Sequence, residues 1–599
     1  MKNNLIIFPN NKFILDNYNN IFIDDFCFDQ INNNDLFSKY EAEQSIFNSS
    51  EQKINSYQNI NKIFYSILPQ VKNELNKIHG LKYELPQWEI IIGAFLRKVI
   101  QQYYYKYNLV EHIFKEKEID HAFLSFNNDF CLSSFHNSND ILYFTTDNNW
   151  NAILWSQIIK DIAPDINYTN FEIKNFQIQK EHDLLFRTRL SKNSLDLKEE
   201  LKTFFFKLIN KVHKSTDGVF YKTNFTFLDE KRIELKMKQV PKYNKFNIIE
   251  YPKYNIHLRK EINFISNSKS KIENLILKHL PELLPIFVIE GFKKILTNVL
   301  NSSLPSNPKF IITASAFDND ENFKIYLADK KSKNKNLKYF ILQHGGSHQT
   351  NIENRFLNET NTVDNFLAWG SYKSSSKIKT IFNIKLLNKK YFKKTNNASN
   401  LLVIFRSLGH RIQAFDRYQE TKEELLSTRR ILQHMTLEIK KKTILRIHPN
   451  FFYTYNKESE IYKKYISYFV ENKDYKIVSQ KKDYITNIHD SKLVYFNSES
   501  TGILETLSIN KPTIVHWSFM YKNLHPEVMD HYKYLIEANI MFTNEDIFIR
   551  HLNKIWNNID EWWFSELVQK NIKKFTHLHS LLPPKNYINR TAESINKNL

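Results

Sequence analysis

Cysteine and glycine are both scarce in this chain. The 599 residues include two cysteines, Cys27 and Cys131, which occur in unrelated sequence contexts, and nine glycines. Two separated cysteines exclude a disulfide framework and a cysteine-based zinc site, and they fit a reducing compartment. Asn, Lys, Ile, Tyr and Phe are abundant and glycine is rare, which indicates a coding bias towards A and T. Asparagine-rich patches such as residues 32–34 therefore carry little functional weight.

Long apolar runs are also missing. No uninterrupted apolar stretch of about 18 residues occurs, and the apolar stretch that follows Met1 is too short for a secretory signal. We therefore expect a cytoplasmic protein. Peripheral contact with an anionic membrane on its inner face is an open alternative, and Glu561-Trp562-Trp563-Phe564 is the candidate anchor. Packing of those aromatic side chains on a core is the plainer interpretation.

Acidic residues are outnumbered by basic ones. The formal net charge is +20, which favours association with polyanions. A basic nucleic-acid-binding protein is thus the alternative from another functional class. No recognisable nucleic-acid-binding motif or clustered basic helix accompanies the charge, so no nucleic-acid partner is expected. The length and a hydrophobic content of 42% indicate two or three domains with substantial cores.

Alternating strand and helix patterns dominate the chain beyond residue 260. Strands are predicted at 309–317, 338–347, 365–370, 401–405, 443–447, 475–479, 492–496 and 513–517, and a long helix at about 415–441. Such alternation is typical of parallel α/β sheets. Nearer the N-terminus, short strands are predicted at 5–8, 20–23 and 140–146. We predict a GT-B-like architecture of two facing Rossmann-type domains, residues 1–395 and 396–599. The N-terminal region is expected to be a helical elaboration, and residues 165–260 an elaboration or insertion without an assigned role.

Hydroxyl groups follow one of the predicted strands, in the turn Ser498-Glu499-Ser500-Thr501. Ser500 or Thr501 can cap the helix that comes next, and the free N–H groups of its first turn would point out of the carboxyl edge of the sheet. Aligned backbone dipoles and hydroxyl donors at that position stabilise a phosphate. A helix cap without a ligand is the alternative.

Two further polar segments follow strands of the predicted sheets. One strand ends in Arg446, His448 and Pro449, and another ends in Gln343, followed by His344, Gly345 and Gly346. The diglycine would let the backbone approach a ligand closely, although a plain tight turn is equally consistent with it. Because ligands of α/β sheets bind at the carboxyl ends of strands, we expect these groups to line a cleft between the two domains.

Together these motifs resemble a family of bacterial transferases associated with surface-carbohydrate biosynthesis. The resemblance rests on residues 343–346, 364–370, 497–507 and 555–563, and it extends to residues 22–27 and 88–93. More distantly, His448-Pro449 and the serine/threonine turn resemble the paired motifs of bacterial sialyl-, polysialyl- and Kdo-transferases. The chain departs from the expected pattern at Ser347-His348, where a further glycine and an aromatic residue would stand.

The resemblance implies a glycosyltransferase with a GT-B fold that uses a CMP-activated ulosonic acid sugar and needs no metal or other cofactor. In that comparison the His-Pro motif and the hydroxyl turn hold the phosphate of CMP. The donor-binding candidates are Arg406, Arg446, His448, Pro449, Ser498, Ser500, Thr501, Gly345 and Gly346. The acceptor would be a surface glycan, a lipid-linked saccharide or a protein hydroxyl. Transfer of glycerol phosphate from CDP-glycerol is a second enzymatic interpretation.

A general base is expected in the N-terminal domain, where carboxylates follow His344. Glu353, Glu359 and Asp364 lie in that segment, and Glu359 is the favoured base. His344, His448 and Asp364 complete the candidate catalytic set. The Asp318-Asn319-Asp320 segment mimics the metal-binding triad of other sugar transferases, but a lone Asp-x-Asp is more typical of a loop.

Overall fold

The structure is a computed structural model built around three parallel sheets. It describes residues 2–24, 27, 46–126, 132, 135–138, 140–145, 147–173, 214–246, 251–264, 268, 270–356, 359–392, 398–406, 417–447, 460–478 and 484–599.

The first sheet lies in the N-terminal region. Its order is β2-β1-β3-β4, with β1 (Lys2–Ile6), β2 (Tyr18–Phe22), β3 (His121–Leu124) and β4 (Tyr168–Asn170). The helices α1 (Ser50–His79), α2 (Leu85–Glu116), α3 (Ile141–Phe144) and α4 (Asn148–Ile162) accompany it. A capping box of Ser49 and Gln52 starts α1, and Gly80, in the left-handed conformation, ends it. Strands β1 and β2 overlap those predicted at 5–8 and 20–23, whereas β3 and β4 were not predicted. Besides its helices, this region therefore has a parallel sheet of its own.

The second sheet follows in simple chain order. Its strands are β5 (Val219–Phe220), β6 (Phe310–Thr313), β7 (Lys338–Leu342), β8 (Asn365–Ala368) and β9 (Ile378–Thr380). The surrounding helices are α5 (Phe227–Lys236), α6 (Ile256–Lys260), α7 (Lys271–Leu283), α8 (Phe292–Leu300), α9 (Ala316–Asn319), α10 (Glu321–Lys333), α11 (Ile352–Arg355) and α12 (Glu359–Thr362). Residues 214–246 of the predicted insertion thus supply an edge strand and a helix to this domain.

The third sheet has the order β12-β11-β10-β13-β14-β15. Its strands are β10 (Asn400–Ile404), β11 (Thr443–Arg446), β12 (Lys476–Ile477), β13 (Ser491–Phe496), β14 (Thr513–His516) and β15 (Met541–Phe542). The chain begins at β10, runs outward to β11 and β12, and then returns to the other side of β10 with β13. A crevice opens at the carboxyl edge where the strand order reverses in this way.

Helices connect the successive strands of the third sheet, as in a doubly wound domain. They are α13 (Arg417–His434), α14 (Leu437–Lys441), α15 (Glu460–Glu471), α16 (Tyr484–His489), α17 (Thr501–Ser508), α18 (Met520–Asn523), α19 (Met529–Glu537), α20 (Glu545–Ile555), α21 (Ile559–Trp563), α22 (Glu566–His579) and α23 (Tyr587–Lys597). The expected fold of two parallel α/β domains with facing edges is confirmed in the second and third sheets.

The last two helices cross back onto the second sheet. The Leu581 N–H donates to the Trp369 carbonyl at 2.7 Å, and the Ser371 N–H donates to the His577 carbonyl at 3.0 Å. A Cβ at Gly370 would lie 2.0 Å from the Leu578 carbonyl oxygen, so this crossing needs glycine there. The segment assigned to the second domain by sequence therefore completes the surface of the first.

The tryptophans of the candidate membrane anchor pack inward. The Trp562 indole N–H donates to the Ala538 carbonyl at 3.1 Å, and the Trp563 indole N–H donates to the Asn510 side chain at 3.0 Å. Trp563 is fully buried. In the part of the chain that the structure describes, no helix is long and apolar enough to cross a bilayer.

Candidate active site

The hydroxyl turn stands at the start of α17, directly after β13. Ser500 has extended backbone angles and its Oγ accepts a hydrogen bond from the Gly502 N–H at 3.1 Å, so the predicted cap is confirmed at Ser500. Ser498 is buried beside it. The amino end of α17 therefore points out of the carboxyl edge of the third sheet, where its dipole favours an anion.

Two arginines reach the same edge at the point where the strand order reverses. Arg446 ends β11, and Arg406 follows β10 by two residues. The guanidinium of Arg406 pairs with the buried Glu424 at 2.8 Å, while that of Arg446 lies 5.4 Å from the ring centroid of Tyr484. Burial raises the pKa of Tyr484, which stays a neutral phenol. His448 and Pro449, the remaining donor-binding candidates of this edge, lie outside the described residues.

The diglycine after β7 meets α17 across the cleft. The Gly346 N–H donates to Thr501 Oγ1 at 3.0 Å, and a Cβ at Gly346 would lie 3.2 Å from Thr501 Cα. Glu499 also contacts the domain of the second sheet, because its Oε2 lies 3.4 Å from the side-chain nitrogen of Asn351. The two carboxyl edges are thus brought into direct contact.

A histidine cluster lies immediately behind the diglycine. His348 Nδ1 and Glu359 Oε1 are 2.5 Å apart, and the rings of His344 and His348 meet edge to face with centroids 4.2 Å apart. Glu359 is 1% exposed, and its other oxygen, Oε2, has no hydrogen-bond partner among the described residues. Burial, and then the charge of Glu359, raises the pKa of the adjacent Tyr339 well above its ordinary value. Tyr339 is therefore a neutral neighbour of the cluster.

The ring of His348 packs against Gly345. A Cβ at this position would lie 2.9 Å from His348 Nε2, closer than side chains pack. We expect Gly345→Ala to push the ring away from Glu359 and to lower the kcat of any reaction that uses this cluster up to about 100-fold, the cost of moving a reacting group by about 1 Å. Steady-state kinetics on the purified variant would measure this. Gly80→Ala, at a helix end remote from the cleft, is the control, and equal losses in the two variants would contradict the explanation.

The other predicted carboxylates lie elsewhere. Asp364 precedes β8 and so lies at the amino edge of the second sheet, where it accepts from the Tyr339 N–H at 2.7 Å and pairs with Lys331 at 2.8 Å. Asp318 pairs with Lys98 at 2.7 Å, and Asp320 caps α10. Glu353 lies within α11. The structure therefore brings Glu359 to the histidines, and it leaves Asp364 at the opposite end of the sheet.

Two residues at the carboxyl edges of the second and third sheets were not among the predicted site residues. His348 was noted as a departure from a motif, but it is the direct partner of Glu359. Asn497 follows β13, where its Oδ1 accepts from the Arg406 N–H at 3.3 Å and its amide donates to Thr428 at 3.1 Å. Its place as the first polar residue after a buried strand was the available signal.

Comparison with known proteins identifies the family. Residues 4–584 match the LIC12162 family transferase. Similar solved structures include the S. aureus MnaA–UDP co-structure, at 12% identity and TM-score 0.33, covering 64% of this chain and 96% of that one. Acinetobacter baumannii MurG has 10% identity and TM-score 0.30, with 53% of this chain and 80% of that one covered. No curated protein matches the sequence significantly. Because the family match spans nearly the whole chain, this protein belongs to the LIC12162 family of transferases.

Proposed function

We propose that this transferase is a glycosyltransferase that moves an ulosonic acid sugar, of the sialic, pseudaminic/legionaminic or Kdo type, from a CMP donor. The observation that carries the proposal is the placement of the buried His348–Glu359 pair, with His344 beside it, against the capped amino end of α17. A proton acceptor and an anion-stabilising helix end then lie at two carboxyl edges that contact each other. Sugar transfer from a nucleotide donor needs these two groups close together.

The donor side would bind the phosphate of CMP. The hydroxyls of Ser498, Ser500 and Thr501, the first turn of α17 and the charge of Arg446 offset the negative charge that develops on the leaving phosphate. His448, as the resemblance implies, adds to this set. A single phosphate leaving group held in this way needs no metal ion, so transfer should proceed in the presence of EDTA.

The acceptor side would remove a proton. His344, which is only partly buried, takes the proton from the acceptor hydroxyl. It replaces Glu359 as the proposed base, because Glu359 is buried and bonded to His348. The oxygen then forms a bond to the anomeric carbon, and the bond from that carbon to the phosphate oxygen breaks, so that CMP departs with the electron pair. His348 packs against His344 and is itself held by Glu359, which fixes the orientation of the cluster. The net charge of +20 fits an anionic glycan or a lipid-linked saccharide at a membrane surface as acceptor.

A thermal-shift screen with CMP, CDP, UMP, UDP and GDP, with and without magnesium, tests the donor class. A ligand at one hundred times its dissociation constant stabilises the native state by about 2.7 kcal/mol. We expect selective stabilisation by CMP, independent of magnesium. A stronger response to CDP would favour transfer of glycerol phosphate, and a preference for uridine or guanosine nucleotides would contradict the CMP donor.

The variant Ser500→Ala tests whether the nucleotide that causes the thermal shift binds at the start of α17. Loss of this cap costs about 1 kcal/mol of stability and removes a hydroxyl from the proposed phosphate site. Asn544→Ala is the matched control, because Asn544 caps α20 with a 3.0 Å bond to the Ile547 N–H in another part of the domain. We expect the CMP-induced shift to fall in Ser500→Ala alone. An equal response in both variants would place the nucleotide elsewhere.

A further inference from the structure

The Glu359 carboxylate raises a question of charge balance. In the described part of the chain, His348 is the one group that hydrogen-bonds to it, and no lysine or arginine forms an ion pair with it. A buried carboxylate is costly unless a cation, a proton or a metal ion compensates it. Oε2 of this carboxylate is buried and has no hydrogen-bond partner among the described residues, so it is available to a ligand.

The surrounding donor atoms define what that ligand can be. His344, His348 and Glu359 each present one donor atom, and the three atoms lie within 4.8 Å of one another. Around a tetrahedral zinc ion such atoms stand about 3.4 Å apart, so movements of about 1 Å close the site. Two imidazoles and one carboxylate suit zinc-type transition metals, whereas magnesium and calcium prefer oxygen ligands alone.

We propose that His344, His348 and Glu359 bind one divalent transition-metal ion of the zinc type, with a fourth position open to the cleft. The ion would take an imidazole lone pair from each histidine and neutralise the Glu359 charge. If the proposed function holds, on which this consequence rests, zinc removes the proton acceptor of the transfer reaction. Zinc would then inhibit an enzyme that magnesium and EDTA leave unaffected.

Cobalt titration of the chelator-treated protein tests the site without any donor or acceptor. We expect one equivalent of Co²⁺ per chain to produce the visible d–d absorption of a four-coordinate ion, and Zn²⁺ to displace it. His348→Gln and Glu359→Gln, which keep the side-chain size, should each weaken binding at least tenfold. His531→Gln is the matched control, because His531 also faces a second histidine, with 3.1 Å between its Nδ1 and His579 Nε2, but in the described residues no carboxylate is hydrogen-bonded to this pair.

The cobalt and nucleotide experiments distinguish failure of the metal-site proposal from failure of the proposed function. Absence of saturable one-equivalent binding, or equal binding in Glu359→Gln and wild type, would overturn the metal site and leave the nucleotide screen unaffected. Failure of CMP to bind would leave the cobalt result standing. Far-UV circular dichroism checks that each variant is folded. If His348→Gln does not fold, Glu359→Gln and His344→Gln decide the question.

Discussion

Glu359→Gln is expected to lower kcat about 100-fold with little change in the KM for the donor, the cost of misplacing a reacting group by about 1 Å. Glutamine preserves the shape of the buried side chain but removes the charge that orients His348 through the 2.5 Å contact. The donor contacts lie on the other domain, which is why KM should be nearly constant. Steady-state kinetics with the donor identified by the nucleotide screen would measure both constants.

Asp364→Asn is the control for this variant. Asp364 is also a hydrogen-bonded carboxylate of the second sheet, but it lies at the amino edge, bonded to the Tyr339 N–H and Lys331. We expect the kcat of this variant to change by less than about threefold, because Asp364 bonds to the Tyr339 backbone and to Lys331 and contacts neither histidine nor Glu359. A loss in Asp364→Asn as large as that in Glu359→Gln would contradict the assignment of the base to the histidine cluster.

Glu290→Gln should be the most destabilising of the single substitutions considered. Arg259 is 1% exposed, and its Nε and one terminal nitrogen each donate to Glu290 at 2.7 Å, while the other donates to the carbonyls of Pro281 and Leu284. Glutamine leaves the arginine charge buried without its carboxylate, which costs about 3 kcal/mol. Amide hydrogen exchange in α6 and α7 as a function of urea would measure the loss locally, as a chain of several domains requires.

Asp530→Asn provides the comparison for that measurement. It removes the exposed Asp530–Lys533 pair, a contact of 2.7 Å in solvent. Exposed ion pairs contribute little to stability, so amide exchange in α6 and α7 should keep its wild-type dependence on urea. An unchanged dependence in Glu290→Gln as well would mean that solvent reaches Arg259 and supports its charge.

The strong strands were predictable because their apolar residues are consecutive. The patterns for β7 and β13 were recognised, although β7 ends at Leu342 and not at 347. Gln343 ends it, since its amide donates to the Gly345 carbonyl at 2.7 Å and its Oε1 accepts from the Trp369 N–H at 2.8 Å. The strands β3, β4, β9 and β15, each of two to four residues, were not predicted.

Two segment predictions were wrong for local reasons. Residues 140–146 were expected to form a strand, but they contain the helical turn α3, where the Thr145 N–H donates to the Ile141 carbonyl at 3.1 Å. The helix expected at 415–441 is two helices, because Thr436 takes extended backbone angles and starts α14. Short apolar runs fit a strand and a buried helix equally well, and a threonine is compatible with both a helix interior and a cap.

The site was partly predictable. The cap at Ser500 and the position of the diglycine follow from local sequence, because strand ends and helix starts have residue preferences. The burial of Glu359 does not, since its neighbours Thr360 and Asn361 are polar and typical of a loop. Its partner His348 is brought to it by the path of the chain between β7 and β8. A tertiary contact of this kind produces no periodic pattern in the sequence, so it could not be predicted from the sequence alone.

The return of α22 and α23 to the second sheet affects how the protein is made. Strand β9 ends at Thr380, whereas the backbone partners of Trp369 and Ser371 lie at residues 577–581. At a synthesis rate of about 5–20 residues per second, the ribosome delivers those partners roughly 10–40 s after β9. During that interval the apolar surface around Trp369 has no cover. The first domain therefore completes its folding only after the second has been synthesised, and nascent chains halted between these points should depend on a chaperone to stay soluble.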